Sequence, residues 1–283
     1  MGDINEYGNY NEAWCPGCGN FDILQALKQT LAELDIPPHK AAIISGIGQA
    51  AKMPHYITAN GFNGLHGRAL SAAQAVKIVN PELTVLVTSG DGCTYAEGGN
   101  HFLAAIRRNV DMVAIVHDNQ VYGLTKGQAS PTTQEGQITK AQPFGVTNAP
   151  FNPVGVAVVM RANFVARAFS GNVPHLVETI KAAIAHPGFA LVDVLQPCVS
   201  FNKVNTFGWY KKRCYELGED YDPTNREKAI QKADEFSDKI PIGVLYTNNR
   251  PAYGGHLPKD LTYPLGTEMV DSEAFDQVVK KYS

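Results

Sequence analysis

Leu83-Thr84-Val85-Leu86-Val87-Thr88-Ser89-Gly90-Asp91-Gly92 decides the fold: a short run, rich in β-branched residues, breaks off into an aspartate between two glycines. The run shows no polar face, as befits a strand covered on both sides of a parallel sheet. Three other runs end the same way. Ala41 to Ile44 leads into Ser45-Gly46-Ile47-Gly48, Met112 to Val116 into His117-Asp118-Asn119, and Ala190 to Leu195 into Gln196-Pro197-Cys198. Between them lie helical patterns over Phe21 to Leu34, Leu70 to Val79, Asn100 to Arg107 and Val173 to Ala185, the last stopped by His186-Pro187-Gly188. Strands and helices alternating through short connections predict the α/β class, a doubly wound and mostly parallel sheet. Ligands of such sheets bind outside the carboxyl ends of the strands, so the four polar clusters are expected to share one site.

The alternation fades after about Asn202, giving way to a charged helical pattern over Thr224 to Lys239 and a tail rich in Pro, Gly and Tyr. The expected organisation is a domain over residues 1–201 and a C-terminal extension over 202–283 that wraps this or a partner subunit. Hydrophobic residues at 44% and charged residues at 18% exclude disorder. A formal charge of −3 supplies no basic field, so neither nucleic acid nor an anionic membrane is an expected partner. Met1 to Trp14 has no basic start or apolar core of a secretory signal, and Glu6 stands where a myristoylation pattern needs Ser or Thr. The expected location is cytoplasmic. There Cys15, Cys18, Cys93, Cys198 and Cys214 read as ligands or free thiols rather than as a disulfide framework.

Chemistry enters with Asp91 and Asn119. The 26 residues between Gly92 and Asn119 suit one βαβ unit, which sets the two side chains on adjacent or near-adjacent strand ends. They offer two oxygen ligands to a hard cation such as magnesium, which also keeps phosphate oxygens. Gly92 lets backbone approach a diphosphate, and a helix starting near Gly98 or Gly99 offers amide groups to its oxygens. A Gly-Asp-Gly alone is as often a plain turn; the spacing to Asn119 argues for the ligand reading. Cys15-Pro16-Gly17-Cys18-Gly19 has the two-residue gap that lets two thiolates bind one metal centre, and Cys198 stands at a strand end on the same side of the sheet. Zinc is an alternative, although Cys198 has no close second partner, and so is a thioredoxin-like redox pair, although the motif precedes the first strand.

Taken in order, these motifs resemble the β subunits of 2-oxoacid:ferredoxin oxidoreductases. The resemblance runs through Trp14-Cys15-Pro16-Gly17-Cys18-Gly19-Asn20, Ser45-Gly46-Ile47-Gly48, Leu65-His66-Gly67-Arg68, Gly90-Asp91-Gly92, His117-Asp118-Asn119, Val121-Tyr122-Gly123-Leu124-Thr125-Lys126-Gly127-Gln128, Ala129-Ser130-Pro131-Thr132 and Leu195-Gln196-Pro197-Cys198. It implies a thiamine-diphosphate-binding fold. Asp91, Asn119 and the Val121 carbonyl would hold magnesium, and Ile47, Gly48, Gln49, Ala50, His66, Gly92, Cys93, Gly123 and Leu124 would line the cofactor. His66 and Arg68 are the polar candidates near the reacting carbon, against the alternative of a surface or core-satisfied histidine. Lys126 would meet a substrate carboxylate or a coenzyme A phosphate, unless it is simply solvated.

The implied activity is reversible, CoA-dependent oxidative decarboxylation of a 2-oxoacid, such as 2-oxoglutarate or pyruvate, to acyl-CoA and CO2. Electrons would pass through a 4Fe-4S cluster to ferredoxin. The chain has no room for a second α/β domain of equal size, so an α subunit is expected to supply the aminopyrimidine-activating domain in a heterodimer. One departure stands out: Gln49 occupies the place of a family cluster cysteine, while Cys93 follows Gly90-Asp91-Gly92 directly. The expected cluster ligands are therefore Cys15, Cys18, Cys93 and Cys198, with Cys214 a packed free thiol. Two competing readings are a cluster-free thiamine-dependent decarboxylase or synthase, which leaves the cysteines idle, and a noncatalytic electron-transfer subunit.

Overall fold

In a computed structural model describing residues 2–255 and 272–282, the apolar runs form strands β1 (Ala41–Ser45), β3 (Thr84–Gly90), β4 (Met112–Asp118) and β6 (Phe189–Leu195), joined by β2 (Asn60–Asn63) and β5 (Phe164–Phe169). All seven residues of β4 and of β6 are buried, the pattern of strands covered on both faces. Two more strands, β7 (Cys214–Glu216) and β8 (Ile240–Thr247), complete a sheet of order β2-β1-β3-β4-β6-β5-β8-β7. Pairing is parallel from β2 through β5; β8 runs antiparallel to β5.

Helices cover both faces. On one, α1 (Asn20–Glu33) and α5 (Val173–Ala185) bury Leu27, Leu31, Leu176 and Ile180 against Ile43, Leu86 and Ile115 of the strands. On the other, α2 (Ala69–Val79), α3 (Gly99–Arg108), α4 (Pro153–Val159) and α7 (Arg226–Asp234) bury Leu70, Phe102, Val154 and Ala229 against Ile44, Val87 and Val116. Alternate residues of β1, β3 and β4 thus feed opposite cores, which is why these strands show no polar face. The remaining helices are α6 (Phe207–Arg213) and α8 (Ser272–Tyr282). No helix among the described residues is long and apolar enough to cross a membrane.

The region after Asn202 contributes β7 and β8 by backbone pairing to the same sheet, which its sequence pattern did not suggest. The helix expected over Thr224 to Lys239 is shorter, ending at Asp234, because the chain must turn to enter β8 at Ile240. β5 also escaped the pattern, since Arg167 sits in the middle of it. That guanidinium is buried, donating from Nη2 to the Ala233 carbonyl at 3.0 Å and lying over the Phe236 ring.

Candidate active site at the strand ends

Strand order reverses between β1 and β3, since β2 lies to one side of β1 and β3 to the other. At such a switch point the connections leave for opposite faces and open a crevice at the carboxyl ends. A narrow cleft of about 60 Å³ lies there. The turn after β1 supplies Ile47, Gly48, Gln49 and Ala50; the loop before α2 supplies His66; the end of β3 supplies Gly90, Asp91, Gly92 and Cys93. The loop after β4 supplies Asn119, Val121, Tyr122, Gly123, Leu124 and Thr125. A Cβ at Gly48, Gly90 or Gly123 would meet nothing within 4 Å, so backbone is bared to the cleft there. Gly92 has another reason: its Cβ would fall 2.3 Å from the Tyr122 ring, which packs on it.

Asp91 and Asn119 follow adjacent strands, with Gly90 in register with His117. Asp91 is 1% exposed, and its Oδ2 accepts from the hydroxyls of Ser130 and Thr132. Burial pushes its carboxyl above the usual range, and those two donors pull against the rise. Asn119 Oδ1 accepts from the Val121 amide at 3.1 Å, so Val121 is folded back onto the asparagine. Asp91, Asn119 and Val121 line the same cleft beside bared backbone and are of the oxygen-donor kind that a hard cation takes.

Arg68 and Lys126 do not line this cleft. Arg68 Nη1 lies 3.3 Å from the His66 carbonyl, to which it donates, so it braces the loop that carries His66. Lys126 is exposed beyond Thr125 with a φ of 83°, a left-handed conformation uncommon for a side-chain-bearing residue. Tyr122 was not singled out by its sequence as a lining residue. Its hydroxyl donates to the Glu97 carboxylate at 3.3 Å, which pins the ring over Gly92.

The cysteines divide. Cys15 is exposed, and the Ser200 hydroxyl donates to its Sγ at 3.0 Å, two residues beyond Cys198. A Cβ on Gly17, in the turn between Cys15 and Cys18, would lie 4.0 Å from Val199 Cγ1, so that turn runs beside the residue after Cys198. Burial pushes the Cys18 thiol up to about 11, with charge on Cys198 and Cys15 adding to the rise, so these three stand within electrostatic reach of one another. Cys93 is held elsewhere in the wall: the amides of Gly67 and Ile47 point at its Sγ at 3.2 Å and 3.4 Å. That places it against the turn bearing Gln49, whose carbonyl accepts from the Trp14 indole at 2.9 Å, next to Cys15. The Gln49 amide oxygen is buried without a partner. Cys214 begins β7 at the far edge of the sheet.

Among the described residues no three His, Cys, Asp or Glu side chains converge as ligands of a single ion would. Behind the cysteines, His117 is wholly buried and held neutral, burial pushing it down to about 3, and its Nδ1 lies 2.8 Å from Asn20 Oδ1 at the start of α1. That contact fixes the Cys15–Cys18 turn to the end of β4.

Comparison with known proteins adds to this geometry. The family described as thiamine pyrophosphate enzyme, C-terminal TPP binding domain, matches residues 44–194, and that described as the C terminal of the pyruvate ferredoxin oxidoreductase beta subunit matches residues 198–260. The 2-oxoacid:ferredoxin oxidoreductase subunit beta of a Sulfolobus species is 44% identical over 278 residues, covering 92% of this chain and 91% of the relative. That of Saccharolobus solfataricus is 48% identical over 248 residues, covering 83% and 81%. Among solved structures, a 2-oxoglutarate:ferredoxin oxidoreductase from Magnetococcus marinus with 2-oxoglutarate, coenzyme A and succinyl-CoA bound superposes with a TM-score of 0.90 at 35% identity, over 98% of this chain and 96% of that one.

Proposed function

The chain belongs to the β subunits of 2-oxoacid:ferredoxin oxidoreductases, and from that premise we propose which of its residues hold the cofactors and how they work. It binds thiamine diphosphate, an enzyme cofactor that, once bound, supplies the electron sink for the carbanion left when CO2 departs. In our reading Asp91, Asn119 and the Val121 carbonyl would hold magnesium, while Ile47, Gly48, Gln49, Ala50, Gly92, Gly123 and Leu124 would line the cofactor. The observation that carries this reading is the meeting of Asp91, Asn119 and bared glycine backbone in one cleft at the β1/β3 switch point. His66 stands at the cleft as the polar group for the reacting carbon, Arg68 braces its loop, and Lys126 serves a carboxylate or phosphate arriving at the rim.

Cys15, Cys18 and Cys198 then ligate a 4Fe-4S cluster, with Cys93 as fourth ligand, the one remaining cysteine on the strand-end side. A cluster held there would supply one-electron transfer toward ferredoxin. Acyl transfer to the coenzyme A thiol completes the reaction, with 2-oxoglutarate the first substrate to test, since the Magnetococcus enzyme is named for it. The aminopyrimidine-activating group comes from an α subunit, residues 202–283 extend the sheet through β7 and β8 and continue as a C-terminal extension, and the assembly works in the cytoplasm.

The test uses the enzyme assembled with its partner subunit and purified without oxygen. It should show a broad iron–sulfur absorption that bleaches when 2-oxoglutarate and coenzyme A are added together. Colourless protein that still consumes the 2-oxoacid would favour a cluster-free thiamine enzyme.

A further inference from the structure

We propose that Ser130 and Thr132 are positioning residues for the metal at Asp91, and that the turn Ser130-Pro131-Thr132-Thr133 sets the geometry of both halves of the metal site. The inference rests on the reading of Asp91 and the Val121 carbonyl as magnesium ligands. A lone carboxylate at the end of a strand can turn about its side-chain bonds. At Asp91 one oxygen is already taken: Oδ2 accepts from Ser130 Oγ and, at 2.6 Å, from Thr132 Oγ1. With Oδ2 fixed on the protein side, and the Asp91 and Gly92 amides also addressing the carboxyl, the group is held in one orientation toward a cation.

The other half of the site is gripped by the same turn. Thr133 Oγ1 donates to the Gln120 carbonyl at 2.7 Å and accepts from the Ser130 amide at 2.8 Å. Gln120 has a φ of 57°, a left-handed backbone that needs outside support in a residue with a side chain. That conformation directs the next residue, Val121, back onto Asn119. The Thr132 hydroxyl also stands 2.7 Å from Asp118 Oδ1, so its single proton serves one of the two carboxylates at a time and its oxygen sits between the ends of β3 and β4. Ser130, Thr132 and Thr133 are all buried, and the Thr133 amide closes the turn onto the Ser130 carbonyl at 3.1 Å. The chain therefore leaves β4 through the metal site, forms the cleft wall at Tyr122–Thr125, and returns to clamp the carboxylate on β3.

Partners that orient metal ligands typically account for about 10- to 100-fold in metal affinity. In the assembled enzyme with thiamine diphosphate present, the dissociation constant of Mn2+, read from the electron paramagnetic resonance of the free ion, should rise by about that factor in Thr132→Val, which keeps the shape and removes the hydroxyl. Ser130→Ala should weaken binding in the same direction, and Thr132→Ser should bind Mn2+ within about threefold of wild type. Raising the metal concentration should restore turnover in Thr132→Val, an outcome that a disrupted fold would not give. Should Thr132→Val fail to assemble, Ser130→Ala, which removes one oxygen, carries the same test. Wild-type Mn2+ affinity in both Thr132→Val and Ser130→Ala, with binding lost in Asp91→Ala, overturns the clamp and leaves the metal site standing. Thr132→Ser as weak as Thr132→Val overturns the role of the hydroxyl. Wild-type affinity in Asp91→Ala itself overturns the metal assignment, and the clamp with it.

Discussion

Gln196 donates from Nε2 to the Sγ of Cys18 at 3.3 Å, and the same side chain accepts on Oε1 from Asn119 Nδ2 at 3.3 Å. One buried amide therefore joins a proposed cluster ligand to a proposed metal ligand. An N–H aimed at a cluster sulfur stabilises the reduced, more negative form and raises the potential. Gln196→Leu should therefore lower the midpoint of the cluster in a titration followed by electron paramagnetic resonance. A midpoint equal to that of the wild type would show that this amide does not act on the cluster.

The fourth cluster ligand is tested by a pair of variants. The Cys93 thiol stands against the turn that carries Gln49, and thiolate suits iron better than an amide does. Cys93→Ser should lower the iron content or produce a three-iron signal, while Gln49→Ala should leave the iron unchanged. A full four-iron cluster in Cys93→Ser, with loss in Gln49→Ala, would reverse the assignment.

Lys126 stands exposed just past the cleft, suited to a carboxylate that reaches out of it. Lys126→Ala should reduce kcat/KM for 2-oxoglutarate more than for pyruvate, by the roughly 1.5 to 3 kcal/mol of a hydrogen bond to a charged group. Equal losses for the two substrates would assign the lysine to coenzyme A or to the fold.

Asp193 is wholly buried on β6. Burial pushes its carboxyl up to about 6, against the Tyr95 hydroxyl that donates to it at 2.6 Å and the nearby Arg167 charge. The folded-state value lies above the unfolded one of about 3.9, so the stability this group contributes is full below the unfolded value and is lost as pH rises through about 6. Asp193→Asn keeps an acceptor for Tyr95 and removes the titration. The stability of the wild type relative to this variant, measured by urea unfolding, should fall between about pH 4 and about pH 6.5 by at most about 3 kcal/mol. A pH-independent difference would contradict the shift.

The parallel core was legible because β1, β3, β4 and β6 are apolar on both faces and break off into glycine or polar residues, a local signal. β2 and β5 were not, for physical reasons: β2 is a wholly exposed edge strand of Asn, Gly and Phe, and β5 hides Arg167, whose partners lie more than 60 residues away in α7 and just beyond it. Most of the cleft residues could be named in advance because each sits at a strand end or in a motif next to one; Tyr122 was missed because its ring enters the cleft only by packing on Gly92. The grip of Ser130 and Thr132 on Asp91 could not, since it spans 39 and 41 residues and depends on where a loop returns. Arg68 failed to reach the cleft because adjacency to His66 in sequence does not set the direction of a long side chain at the start of a helix.

The most direct test of the account is the binding of thiamine diphosphate to the assembled enzyme by calorimetry, with and without magnesium, in wild type, Asp91→Ala and Asn119→Ala. The account predicts magnesium-dependent binding in the wild type, none in Asp91→Ala with the fold intact by circular dichroism, and a smaller loss in Asn119→Ala, where a neutral ligand is removed. Wild-type affinity in Asp91→Ala would contradict it.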